Sequence, residues 1–287
     1  PLVVDSDDWE GYGGFATLYL EHSTYPRIIS SFFNFQEKWI VRRVDSLTVA
    51  SKTLEKQAKA LHVPSEKVFY VPNGPHTDHN ASEKSSEGKR FKMEGGSTIL
   101  LYTRFLEFKI EKIIDILSKV REKLKNTRLL VVGKGMFNEE EELLRLAKER
   151  AIEKMLIYVG WITPKDIPYY LTLGDVAIYP YDDTLLNRSK CPGKLVELMT
   201  AGKAIIAENV GQIGEYIIDG DSGLLVTPGD TEMFAQKIVK TLKDKQLRAK
   251  LGENAERRIK FYFAWDKLTA KVEEAYRTAF EVQGSKR

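Results

Sequence analysis

From residue 97 onward the chain repeats one pattern: a run of four or five mostly apolar residues, a short turn, then a longer amphipathic segment. The runs fall at 98–102, 128–132, 156–159, 176–179, 204–207 and 223–226, and the helical segments at 111–125, 138–150, 164–173, 194–201, 213–218 and 231–243. Near-continuous apolar strands separated by helices pair in parallel through crossovers and are covered on both faces. The pattern predicts an α/β fold with a Rossmann-type parallel sheet. Ligands of such sheets bind outside the carboxyl ends of the strands, so the loops after each run are where function is sought.

Upstream the signals are sparser. A short strand at 1–4, a second at 45–50, a helix over 51–61 and a strand running into the Asn73-Gly74 turn make a partial second Rossmann-like unit. Residues 76–96 turn polar, as linkers do. The expected division is 1–80, a linker at 81–96, a ligand-binding unit at 97–262, and a last helical segment at 263–287 that packs back on the first unit. The 287 residues, 43% of them hydrophobic, are enough for this. With 44 basic and 41 acidic side chains the charges nearly cancel, so no nucleic-acid partner is expected.

One cysteine, Cys191, excludes an internal disulfide framework and points to a reducing compartment or to indifference to redox. It has no histidine near it in sequence to act as its base. No apolar run approaches the roughly 20 residues of a membrane span. The expected location is cytoplasmic. Residues 25–43 mix Phe32, Phe33, Phe35 and Trp39 with Arg27, Lys38, Arg42 and Arg43. That segment reads either as a core helix with a basic edge or as a contact with the inner face of a membrane.

The densest chemistry lies at 187–207, where a basic loop with Arg188, Lys190, Pro192 and Gly193 leads into a short helix starting near Lys194. A helix N-terminus has unpaired N–H groups and partial positive charge, so it can hold a phosphate. Glu197, one turn in, is placed for ribose hydroxyls. The loop after the first run of the large unit carries Arg104 and Lys109, two cations able to converge on a diphosphate. The turn at 131–136 is glycine-rich without a dinucleotide fingerprint. Gly160 would let a ligand ring approach the backbone, and Trp161 is either part of that wall or a core plug. Asp5 and Asp7 form an Asp-x-Asp pair that can bind a divalent metal or simply make an acidic, solvated loop.

The runs Lys194-Leu-Val-Glu-Leu-Met-Thr-Ala-Gly-Lys-Ala-Ile-Ile-Ala207, Val210-Gly-Gln-Ile-Gly-Glu215 and Gly220-Asp-Ser-Gly-Leu-Leu-Val-Thr-Pro-Gly-Asp230 resemble, in order and spacing, the donor domain of retaining GT-B glycosyltransferases of family four. Arg104 and Lys109 fall on the cations of that family's Gly-Arg-Leu-x-x-x-Lys-Gly loop. Val71-Pro-Asn-Gly74 and Phe263-Ala-Trp-Asp-Lys-Leu268 resemble its pre-linker turn and last helix. The resemblance implies a GT-B fold and a nucleoside-diphosphate sugar as donor substrate, with no cofactor and no metal. Arg104 and Lys109 would grip the diphosphate with backbone N–H groups of Gly193, Lys194 and Leu195, Glu197 would hold the ribose, and the base would lie by Gly160 and Trp161. The acceptor would be a saccharide or a lipid-linked sugar.

Departures also stand out. The first glutamate of the family's pair falls on Ser189, which has no carboxylate; resemblance to the family's Pro-x-Lys-x-x-Glu variant implies that Lys194 would share its duty. The glycines flanking the cation loop are Thr103 and Ile110. The amino-terminal unit reads as shortened, and His22, His62, His76 and His79 lie in no matching motif. The alternative to a transferase is therefore a nucleotide-sugar-binding module completed by a partner chain.

Overall fold

The structure is a computed structural model and describes residues 1–75 and 95–284. Most of the expected linker at 81–96, with His76 and His79, lies outside the described residues. The first unit runs β1 (Val3–Ser6), α1 (Phe15–Glu21), α2 (Arg27–Val41), β2 (Ser46–Val49), α3 (Lys52–Ala60) and β3 (Val68–Tyr70), its strands forming a parallel sheet of order β1-β2-β3. Ser51 caps α3 by accepting from the Leu54 N–H at 3.2 Å. Trp9, Val41, Leu47, Val49 and Leu54 make its small core.

The second unit runs β4 (Ser97–Tyr102), α4 (Ile110–Lys123), β5 (Thr127–Val132), α5 (Glu139–Glu149), β6 (Leu156–Gly160), α6 (Ile167–Thr172) and β7 (Val176–Tyr179). It continues with α7 (Leu185–Ser189), α8 (Gly193–Thr200), β8 (Ile205–Glu208), α9 (Ile213–Tyr216), β9 (Leu224–Val226), α10 (Thr231–Lys243), α11 (Lys245–Tyr262) and α12 (Trp265–Gly284). All six strands are parallel, in the order β6-β5-β4-β7-β8-β9. Successive side chains of a strand point to opposite faces. Ile99, Leu101, Leu129 and Val131 accordingly pack with α4 and α10, while Leu100, Leu130 and Val132 pack with α6, α8 and α11. Burial on both faces is why these strands are apolar throughout.

Asp230 and Asp244 cap α10 and α11 through the N–H groups of Met233 and Leu247, both at 2.9 Å. Four glutamates in the first turn of α5 meet the positive end of its dipole. Helix α12 returns over β1, β2 and β3. The two sheets are also joined directly. Ser51 Oγ donates to the Ser189 carbonyl at 2.6 Å, Asn73 Nδ2 to the Cys191 carbonyl at 3.0 Å, and the Tyr216 hydroxyl to the Asn73 carbonyl at 2.7 Å. The Cys191 thiol sits in this joint, 3.1 Å from both the Asn73 nitrogen and the Tyr216 hydroxyl, and burial pushes its pKa up to about 11. It is a packing group held as the thiol. Among the described residues no helix is long and apolar enough to cross a membrane.

Candidate functional site

Growth of the large sheet reverses at β4: β5 and β6 add on one side, β7, β8 and β9 on the other. The loops leaving β4 and β7 therefore part and open a crevice at the carboxyl edge. The strand ends are level, Tyr102 pairing with Val132 and Val132 with Gly160. Gly133, at φ +125°, lets this edge close up, since a Cβ there would lie 1.8 Å from the Thr103 carbonyl oxygen.

Arg104 leaves the sheet directly after β4 and is exposed. The loop then folds back, with the Phe105 N–H donating to Thr103 Oγ1 at 2.7 Å and the Phe105 ring buried. Across the crevice α8 starts at Gly193, directly after Pro192. The Lys194 ammonium lies 4.9 Å from the centre of the Tyr102 ring. Burial, and after it the charge of Arg104, pull Lys194 below the ordinary lysine range, with Glu107 and Glu197 opposing. Glu197 is in hydrogen-bonding contact with the Tyr102 hydroxyl, whose ionisation is pushed up by burial and by that carboxylate. Its second oxygen, Oε2, is buried and has no hydrogen-bond partner among the described residues. Leaving such a group unpaired costs on the order of 1–3 kcal/mol, so a ligand hydroxyl that donates to it gains by that amount.

Arg104, Lys194, Glu197 and Tyr102 are thus brought together. The N–H groups of Gly193 and Lys194 open α8 with no acceptor among the described residues, and Gly193 is exposed. The other expected members are placed differently. The Leu195 N–H donates to the Pro192 carbonyl at 3.0 Å and also meets the Tyr179 hydroxyl, so it is turned inward. Ser189 is fully buried, its hydroxyl donating to the Leu186 carbonyl at 2.8 Å, and it faces no ligand space. Arg188 is committed outward to Asp183 through two bonds of 2.5 and 2.7 Å. Lys190 pairs with Glu107 at 3.3 Å. The basic loop therefore offers only Lys194 to an anion.

Lys109 precedes the first turn of α4, and its N–H donates to Asp182 Oδ2 at 2.9 Å. Its side chain lines a hollow of about 540 Å³ between the units, with Gly14, Thr17, His22 and Glu139, which Arg104 does not line. Gly160 ends β6 at φ +81°. Trp161, 69% exposed, is no core plug and directly follows β6, the edge strand of the sheet.

Sequence reasoning missed Glu107, which sits between the two cations that drew attention to its loop. It also missed Tyr102 and Tyr179, whose polar tips were hidden in runs read as apolar. A buried ion pair escaped as well: Glu208 Oε2 accepts from Lys112 and from the Tyr181 N–H, each at 2.7 Å, and Oε1 accepts from the Gly229 N–H at 2.6 Å.

In the first unit, Asp5, Asp7, Asp8, Glu10 and Glu37 line a second hollow of about 440 Å³. Asp5 accepts from the Thr48 hydroxyl. Among the described residues no three His, Cys, Asp or Glu side chains are grouped to hold a metal ion. Burial, then the Glu10 charge, push Glu37 from 4.5 up to about 7. The folded state therefore keeps a proton that the unfolded chain releases in that window, and stability falls as pH rises through it. Glu37→Gln is expected to melt above the parent at about pH 8 and level with it at about pH 4. Thermal denaturation followed by circular dichroism at both values checks this.

Solved structures share the fold. Anabaena Alr3699/HepE, in complex with UDP and glucose, superposes with a TM-score of 0.76 at 19% identity, covering 97% of this chain and 72% of that one. WaaG, a glycosyltransferase involved in lipopolysaccharide biosynthesis, gives 0.68 at 18% identity, covering 90% and 70%. The fold is that of the GT-B glycosyltransferases.

The family model for glycosyl transferases group 1 matches residues 83–258, and the chain belongs to that family. It is 21% identical over 245 residues to the alpha-D-kanosaminyltransferase of Streptomyces kanamyceticus, covering 82% of this chain and 61% of that protein. Against glycogen synthase of Mycobacterium tuberculosis it is 24% identical over 250 residues, covering 85% and 56%. The chain thus spans little more than half the length of these curated relatives.

Proposed function

We propose that the chain moves a sugar from a nucleoside-diphosphate donor to a saccharide or lipid-linked acceptor, with retention of anomeric configuration. The observation that carries this reading is the meeting of Arg104, Lys194, the α8 N-terminus and the unpaired Glu197 oxygen at the crevice of a group 1 glycosyltransferase. Glu197 accepts from the ribose, and the open N–H groups of Gly193 and Lys194 meet the diphosphate. The base lies toward Gly160 and Trp161. As the sugar–phosphate bond breaks, negative charge grows on the leaving nucleotide, and fixed cations stabilise it more than they do the intact donor. Arg104, Lys109 and Lys194 supply that charge. A leaving phosphate held there can take the acceptor's proton on the face it departs from, which gives retention. Residues 97–262 act as the donor side and 1–80 as the acceptor side, with the hollow between them open to the acceptor.

The test is nucleoside-diphosphate release from a panel of donor sugars, with and without saccharide acceptors, the product anomer being read by NMR. One donor should be turned over, faster with acceptor present, and the product should keep the donor's configuration. A donor that binds without turnover would instead favour a binding module completed by a partner chain.

A further inference from the structure

Helix α2 turns an apolar row away from the protein. Ile28, Phe32, Phe35 and Trp39 are spaced four, three and four residues apart, which places them along one line of the helix. They are 79%, 59%, 60% and 44% exposed. The opposite face is engaged: Ser30 and Val41 are buried, and Phe33, Glu37 and Ile40 wall the acidic hollow.

The charges that this segment places beside the row have one sign. Arg27 and Lys38 flank it, and Arg42 and Arg43 follow its end, the Arg43 guanidinium 4.2 Å from the centre of the Trp39 ring. The helix's one acid, Glu37, is on the inward face. A second copy of the chain would set these same four cations against each other across a two-fold axis, which like-charge repulsion opposes. A surface with apolar depth and negative charge satisfies both the rings and the cations.

We propose that α2 is an in-plane anchor for an anionic lipid bilayer. Ile28, Phe32, Phe35 and Trp39 enter the acyl boundary, and Arg27, Lys38, Arg42 and Arg43 rest among the headgroup phosphates. The assignment stands whether or not the chain is a transferase. If it is one, the consequence is local: α2 packs on α1, whose Thr17 helps line the hollow between the units, so that hollow lies one helix from the bilayer.

The test is co-sedimentation of the chain with vesicles of phosphatidylcholine alone and of phosphatidylcholine mixed equally with phosphatidylglycerol. Binding to the mixed vesicles is expected, weakening as salt is raised. Phe35→Glu/Trp39→Glu should abolish it without changing the melting temperature, because both side chains are exposed. Arg27→Gln/Lys38→Gln, which leaves the rings alone, should cost about fivefold per cation on the anionic vesicles. The proposal is overturned if the parent does not bind anionic vesicles, or if binding survives the Phe35 and Trp39 substitutions. It is equally overturned if the parent proves to be a dimer that those substitutions dissociate.

Discussion

Replacing Arg104 by alanine should lower kcat/KM for donor turnover by about 10²–10³-fold, the loss typical of removing one preorganised group that stabilises developing charge. Arg104 is the cation at the mouth of the crevice, close enough to Lys194 for its charge to help pull that ammonium's pKa down. The guanidinium fork can meet two phosphate oxygens at once, whereas the Lys194 ammonium is a single point charge whose pKa burial and Arg104 pull down. The leaving diphosphate therefore depends on Arg104 first. Steady-state kinetics on Arg104→Ala separates the two ways this could appear. A fall in kcat marks stabilisation of the leaving group, and a rise in KM alone marks simple binding.

Lys112→Met should destabilise the fold by about 3–5 kcal/mol, the cost of stranding a buried charge. Glu208 is only 1% exposed and Lys112 only 10%, and the lysine also pairs with Asp182 at 2.5 Å. Glu208 at the end of β8 thereby ties α4 to the Tyr181–Asp182 turn after β7 and to the Gly229 turn before α10. Lys112→Met/Glu208→Gln should recover part of the loss, because an amide oxygen still accepts from Tyr181 and the buried Glu208 charge is gone, while the amide NH2 now faces the Gly229 N–H and Asp182 keeps its charge. Urea denaturation of the single and double variants reads the difference directly.

The large sheet was legible because parallel strands buried on both faces leave long apolar runs. Each of the six runs became a strand, with ends moved by a residue or two. The short helices α1 and α7 were not legible, since they fall outside the regular strand–helix alternation that exposed the other short helices. Missing α7 had a cost at the site. It carries Arg188 outward to Asp183 and ends on a buried Ser189, so what read as an open basic loop delivers a single lysine. The membership of Glu197 could be read because its place, one turn into a helix behind Pro-Gly, follows from local geometry. The burial of Phe105 and Phe108, which turns the loop between Arg104 and Lys109, could not, because it depends on tertiary packing.

The claim on which the account rests is that Glu197 and the start of α8 form a nucleoside-diphosphate pocket. It is tested by calorimetric titration of the chain with a panel of nucleoside diphosphates and with the 2′,3′-dideoxy form of whichever binds. The account predicts one site for one base. Glu197→Ala and removal of the ribose hydroxyls should each weaken binding by at least about tenfold, and the two changes together by no more than either alone, as for groups that touch. Binding that is indifferent to Glu197→Ala, or additive losses from the two changes, would contradict it.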